Sequence, residues 1–303
     1  MTILSITIEN VLGEQVEIPL DDSRSSNYLI IEMEGLGSPK NSVNTMGLAG
    51  ADGAEFNSVY AMQRTINLTI GFENHVIDVT AARQLLYRLF DQKRETTLII
   101  TTDSFKTAIK GWVEENKSNI TTKISHNVIS IICPDPFFRD VIEHTFTVSG
   151  INSLFEFPFS NESLTESLIE FSTWERDFAR VLDYEGEVET GFIIQLLFDG
   201  PATDVVIYHV TESKQMAIDT SVVASIVGGP IQAGDKITIN TAVGQKAIEF
   251  YREGVAYNII NALSTFTDWL TISPGPNEFT IDASNGLDNV TATLFYQLVR
   301  AGV

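Results

Sequence analysis

The stretch that most limits what this chain can fold into is Val128-Ile-Ser-Ile-Ile-Cys-Pro-Asp-Pro136, an apolar strand that runs straight into two prolines. Val128, Ile129, Ile131 and Ile132 read as a strand packed on both faces. Pro134 and Pro136 have no N–H to give to a ladder, so the strand must end there. The stop falls near the middle of 303 residues, and the pattern changes across it. Before it lies one helix among strands; after it, almost everything alternates like strand. A chain of this length exceeds one typical core and fits two domains of roughly 100–200 residues. The division is expected between residues 1–142 and 143–303, with Pro134 and Pro136 as a stiff interdomain junction.

Bulk properties remove several classes. A hydrophobic content of 44% against 19% charged residues describes a globular chain rather than a disordered one. The longest apolar runs, such as Phe192–Phe198, fall far short of the ~20 residues of a membrane helix. Met1-Thr-Ile-Leu-Ser5 lacks the charged start and apolar run of a secretory signal, so synthesis in a cytosol is expected. The lone Cys133 excludes an internal disulfide and any multi-cysteine zinc site, and its isoleucine neighbours suit a buried structural thiol. The net charge of −21 is unevenly shared: 12 Lys/Arg against 18 Asp/Glu up to Ile142, and 7 against 22 from Glu143 on. So acidic a surface should not grip nucleic acid, since phosphate binding depends on Lys and Arg. It serves equally as a well-solvated exterior.

In the first half, Leu4, Ile6 and Ile8, then Val16, Ile18 and Leu20, then Ile66, Leu68, Ile70 and Phe72 alternate with polar residues as half-buried strands. Tyr28–Met33 is a further short strand, and Gly35–Asn57 reads as a long polar loop holding Gly47, Gly50 and Gly53. One helix follows, with Thr80 as its expected N-cap and Leu85, Leu86, Leu89 and Phe90 on one face. Thr96–Thr102, Lys106–Glu114 and Lys123–Cys133 then read as consecutive antiparallel strands. One helix against a largely antiparallel sheet makes an α+β N-terminal domain. In the second half, expected strands include Thr145–Val148, Leu168–Phe171, Phe192–Phe198, Val205–Val210, Lys236–Asn240, Lys246–Tyr251, Phe279–Ala283 and Thr291–Leu298. Turn chemistry separates them, including an Asn285-Gly286 turn, and the pattern is that of an all-β sandwich.

Sites of chemistry are sparse. His75, His126, His144 and His209 are scattered, with no i, i+4 pair and no cysteine partner, so no metal and no cofactor is expected. Asp52–Glu55 and Asp282–Asp288 lack the alternating ligands of a calcium loop and read as polar turns. No Gly-x-Ser-x-Gly elbow is present, and Gly35-Leu-Gly37 lacks the third glycine of a dinucleotide site. No catalytic residue is therefore assigned. The acids Glu170, Glu175, Asp177, Glu185, Glu187 and Glu189 could supply a glycosidase pair, but a chain with 40 acids provides such a cluster by chance. Trp174, Tyr208 and Trp269 are candidate glycan-stacking residues, although aromatic residues in a sandwich more often fill its core.

The order of features resembles the distal tail proteins of tailed bacteriophages. In the first half the resemblance rests on Gly35-Leu-Gly37, the strand Arg64–Phe72, the helix Ala81–Phe90 and the strand end Cys133–Phe138. In the second it rests on Gly186–Gly191, Ala233–Thr241 before Gly244-Gln-Lys246, Pro274–Phe279 and the terminal Ala301-Gly-Val303. Ser149–Asp183 matches least. The resemblance implies a ring-forming belt domain over residues 1–142 and a galectin-like sandwich over 143–303. It implies a non-enzymatic hub, usually a hexamer, at the distal end of a tail tube. The partners would be the tube protein, adhesion or receptor-binding proteins and, at the sandwich, a host-surface glycan. Such a hub sits in the virion and is assembled in the bacterial cytoplasm, without nucleic-acid specificity or membrane insertion. Two other readings remain at this point: a carbohydrate-binding module for host recognition, and a glycoside hydrolase on a sandwich scaffold.

Overall fold

The computed structural model describes residues 2–20, 26–48, 50, 52–72, 78–119, 125–149, 152–153, 172–173 and 180–303. The chain folds as two compact units, Met1–Ile142 with Val299–Val303, and Glu143–Leu298. The expected division at Ile142 thus coincides with a unit border, but the final five residues belong to the first unit instead of the second. The physical reason is a strand pairing: Val299 and Arg300 lie antiparallel to Arg139 and Phe138.

The first unit contains β1 (Ile3–Asn10), β2 (Gln15–Pro19), β3 (Tyr28–Glu34), β4 (Asn41–Gly47), β5 (Ala54–Ala61), β6 (Arg64–Phe72), α1 (Val79–Leu89), β7 (Glu95–Thr102), β8 (Lys106–Asn119), β9 (His126–Cys133) and β10 (Phe138–Asp140). Its main sheet runs β2-β1-β7-β8-β9-β6-β3, all antiparallel, and β10 joins the side of β8. The alternation read in Arg64–Phe72 is literal: Ile66, Leu68 and Ile70 are buried while Thr65 and Asn67 are exposed. They share one core with Ile8, Ile18, Leu98, Ile100, Ile109, Ile129 and Ile131. Helix α1 lays Ala82, Leu86 and Leu89 into that core. Its N-cap is Asp78, not Thr80, because the Asp78 carboxylate accepts the Ala81 N–H at 2.9 Å, a geometry Thr80 cannot reach from inside the first turn. The helix is also tied to the sheet through its carbonyls. Tyr28 donates its hydroxyl to the Ala82 oxygen at 2.9 Å, and Thr96 donates to the Leu89 oxygen at 3.2 Å.

Pro134 and Pro136 end β9 as their chemistry requires, but they do not mark the border between units. The chain continues through β10 within the same unit as far as Ile142. Pro136 is buried, and its carbonyl accepts a hydrogen bond from Arg64 Nε at 2.7 Å. That bond is one of several made by a nearly buried guanidinium. Arg64 Nη1 donates to the carbonyls of Gly35 (2.8 Å) and Gly37 (2.6 Å), and Nη2 donates to that of Ala301 (2.5 Å). The Phe138 ring lies beneath the guanidinium, 4.5 Å from ring centroid to Cζ. Burial pushes the Arg64 pKa down, yet a guanidinium stays charged in proteins, so each bond is charge-assisted.

The second unit begins with β11 (His144–Ser149), β12 (Asn152–Ser153), β13 (Ser172–Thr173), β14 (Arg180–Tyr184), β15 (Ile193–Phe198), β16 (Thr203–His209) and β17 (Lys214–Ile218). After α2 (Thr220–Val227) come β18 (Lys236–Asn240), β19 (Ala247–Arg252), β20 (Val255–Asn258), β21 (Gly275–Asn285) and β22 (Val290–Tyr296); β23 (Val299–Arg300) is the strand that returns to the first unit. A sheet ordered β11-β22-β15-β18-β19-β20 and another ordered β14-β21-β16-β17 contribute to a single core. Ile194, Leu196, Ile237, Ile239, Phe250 and Leu294 come from the first sheet, and Val205, Ile207, Met216, Phe279 and Leu182 from the second. This is the expected sandwich.

Two details differ from the sequence reading, and one lies beyond what the structure describes. Helix α2 interrupts the strands, with Asp219 accepting the N–H groups of Ser221 and Val222 and Gly228 closing the helix at φ 82°. No element is expected over its Val-Val-Ala-Ser-Ile-Val run, which only the Asp219 cap and the glycine stop mark as helix. Asn285-Gly286 is not a two-residue turn, because Gly286 opens a 3-10 turn over Leu287–Asn289 before β22. The expected strand Leu168–Phe171 lies outside the described residues.

Two substitutions test this packing. A Cβ at Gly111 would stand 2.6 Å from Ile131 Cγ2, 2.8 Å from the Ile132 oxygen and 2.9 Å from Cys133 Sγ. Gly111→Ala should therefore lower stability by about 1–3 kcal/mol in urea unfolding, because the neighbouring strand must shift. In the second unit, fully buried His209 stacks on Phe279 (4.4 Å, 11°), with Nδ1 3.5 Å from Glu212 Oε2. Burial pushes the His209 pKa below its ordinary 6.5, against the opposing pull of the Glu212 carboxylate. The unfolded chain then binds the proton more readily, so the stability held by neutral His209 is present above pH 6.5 and is lost as pH falls below it. Glu212, whose own pKa is lowered, adds its loss only below its ordinary 4.5. Melting temperature followed downward from pH 7 should fall for the parent chain and stay flatter for His209→Leu between 6.5 and the carboxylate range.

Candidate assembly surface

The feature of the first unit most suited to a partner is the hairpin β4–β5. It pairs Asn41 with Ala61 through to Gly47 with Ala54, with one irregularity between Asn44 and Thr45. Its base is closed by the Met62 N–H on the Lys40 oxygen at 2.8 Å. The two strands form a sheet of their own, separate from the main sheet. Nearly every residue is exposed, including Val43 (58%), Phe56 (61%), Val59 (50%) and Tyr60 (58%). Val43 faces Val59 across the pair, and Tyr60 faces Ser42. A two-stranded sheet with no covering layer is marginal in water, and exposed apolar strands invite pairing with another chain.

The sequence reading took this region for a loop. Gly47, Gly50 and Gly53 suggested one, and neither strand has a buried face, so the apolar/polar contrast that marks a half-buried strand is absent. The β-branched and aromatic content of Phe56–Tyr60 was the available signal.

On the main sheet, the outward face of β6 and β9 mixes polar Thr65, Asn67, Thr69 and Ser130 with exposed Val128 and half-buried Ile132. Acids accompany them. Asn67 Nδ2 donates to Glu34 Oε2 at 3.4 Å, Ser130 Oγ donates to Glu114 Oε2 at 3.4 Å, and Lys110 Nζ lies 3.2 Å from Glu95 Oε1. Among the described residues, this face carries no cluster of unopposed basic residues with which to hold phosphates.

Of the aromatic residues singled out in the second half, Tyr208 and Trp269 are among the described residues. Tyr208 lies on β16, half-buried, on the side of its strand opposite the core residues Ile207 and His209. Trp269 packs against the sandwich core, with Lys246 Nζ 5.0 Å from its ring centroid. Trp174 lies outside the described residues, as do Glu170, Glu175 and Asp177 of the acidic cluster. Among the described residues, no group of three His, Cys, Asp or Glu could hold a metal. His144 stacks on Tyr296 at 5.5 Å, away from buried His209. Burial pushes the Cys133 thiol up to about 11, so it is protonated and inert near neutrality.

Comparison with known proteins brings these observations together. Residues 185–297 match the family model of the siphovirus-type tail component, C-terminal domain. A sequence search of curated proteins gave no match. Among solved structures, the chain is similar to the SPP1 Dit protein, described as a paradigm of the hub adsorption apparatus in phages infecting Gram-positive hosts. The TM-score is 0.64 at 13% identity, covering 96% of this chain and 98% of that one. It is also similar to a chain of the phage P2 baseplate in its activated, calcium-containing conformation, with a TM-score of 0.50 at 11% identity, covering 99% and 98% of the two chains. The resemblance to phage distal tail proteins seen in the sequence therefore holds: residues 185–297 match the siphovirus-type tail-component model, and the chain is similar in fold to the SPP1 Dit protein over nearly its whole length.

Proposed function

We propose that this protein is the structural hub of a phage tail or tail-like particle. It forms a ring, six-fold in the simplest case, that joins the distal end of the tail tube to the host-attachment apparatus. The observation that carries this reading is the match of residues 185–297 to a siphovirus-type tail-component domain, in a chain with the Dit fold. The described geometry supports it further. The β4–β5 hairpin exposes apolar strands that a neighbouring copy would cover, as closed rings do with their subunit edges. The acids Glu34 and Glu114 beside the outward Asn67 and Ser130, and the net charge of −21, suit a lumen through which DNA passes without adhering. The role is mechanical, not catalytic; it belongs to the virion tail tip and is acquired by assembly in the host cytoplasm. Its partners are further copies, the tube protein and adhesion proteins.

Negative-stain imaging of the purified chain tests the reading. Closed rings at micromolar concentration are expected, and a monomer at every concentration with no affinity for tail-tube protein would overturn it. Within the same experiment, Phe56→Glu combined with Tyr60→Glu should abolish rings. Unfolding free energy should change by less than about 0.5 kcal/mol, because both side chains are exposed in the single chain.

A further inference from the structure

The second unit leaves and rejoins the first through neighbouring strands. β10 leads out toward Ile142, and β23 leads back at Val299; the two pair, Arg139 with Val299 and Phe138 with Arg300. Beyond the crossings β11 and β22 also pair, His144 with Tyr296. The connections are therefore two short runs, Asp140–Glu143 and Gln297–Leu298, with paired residues at both ends. The outward connection follows directly from β10. The return connection restrains the second unit only while Val299–Val303 stays docked on the first.

A two-residue strand is too short to hold itself by ladder bonds. Side chains supply the rest. Val299 is buried, and Arg300 Nε lies 3.3 Å from Asp140 Oδ1 with its guanidinium 4.0 Å above the Phe105 ring. The Val303 N–H donates to the Leu36 oxygen at 3.0 Å. Arg64 is the element common to the whole arrangement, because one guanidinium binds Ala301 together with Gly35, Gly37 and Pro136. The partners identified for it are main-chain carbonyls from three separate stretches of chain. Such a fork of fixed donors has no equivalent in lysine.

We propose that Val299–Val303 is a latch, that Arg64 closes it, and that the closed latch holds the second unit by two connections instead of one. With the latch open, the second unit hangs from the single link at Ile142–Glu143 and swivels about it. This holds whether or not the chain forms a ring, since it concerns one copy.

The test uses the full chain with spin labels at Lys93→Cys in the first unit and Gln245→Cys in the second, leaving buried Cys133 in place. Hydrogen exchange of Val299–Val303 and the width of the label-to-label distance distribution are read together. Arg64→Met, and separately a chain truncated after Leu298, should both broaden the distribution. Arg64→Met should also speed exchange in Val299–Val303 at least tenfold, while the melting of the second unit stays unchanged. Exchange as slow as in the parent chain would overturn the role of Arg64. Fast exchange with an unbroadened distribution would overturn the latch. Should Arg64→Met also lose slow exchange in β6 and β9, Gly302→Val decides by the same two readouts. A Cβ there would stand 3.0 Å from the Leu36 oxygen and 3.1 Å from the Gly37 carbonyl carbon, lifting the latch without touching the guanidinium.

Discussion

The first unit depends on one buried cation that binds the backbone directly. Arg64 opens β6, and its guanidinium joins the Gly35–Gly37 turn, the end of β9 and the returning Val299–Val303 segment through charge-assisted bonds to carbonyls. Those carbonyls would otherwise be poorly satisfied where strands end and turns crowd together. Phe138 beneath the guanidinium excludes water from one face and adds the attraction of its ring. The close fit also explains the local composition. Gly35 lies at φ 89°, and a Cβ there would stand 2.3 Å from the Thr65 oxygen, so only glycine brings this turn close enough to β6.

The second unit uses the same physics with an opposite charge pattern. Its counterpart is the Arg252–Asp235 pair, in which Asp235 is nearly buried and also accepts the Gln232 N–H at 2.8 Å. Arg252 reaches across to the Pro230 oxygen at 2.7 Å, tying the turn before β18 to β19. Around it the two sheets fill their core with isoleucine, leucine and phenylalanine.

Each unit fills an apolar core, while the β4–β5 hairpin is a sheet of two strands with apolar side chains in water. Its base, closed by the Met62 N–H on the Lys40 oxygen, lies two residues before Arg64 in the chain.

The sequence by itself determined the strands with one wet and one dry face. Burial writes a period of two into Arg64–Phe72 and Lys236–Asn240, and those elements formed where the alternation placed them; the strand before Pro134, expected to be packed on both faces, buries Ile129, Ile131 and Cys133 on one face and leaves Val128 exposed on the other. It also determined the sandwich class and, by the order of its turns, the likeness to distal tail proteins. Tertiary structure alone decided three matters. The hairpin was illegible because neither of its faces is buried within the single chain, so no alternation marks it. Helix α2 was hidden in β-branched residues, whose strand preference yields to a capping aspartate and a left-handed glycine once Val223 finds the core. The return of Val299–Val303 to the first unit was illegible because it joins Arg64 to Ala301 across 237 positions of sequence. Local pattern carries no information about contacts at that range; they exist only once both folds have formed.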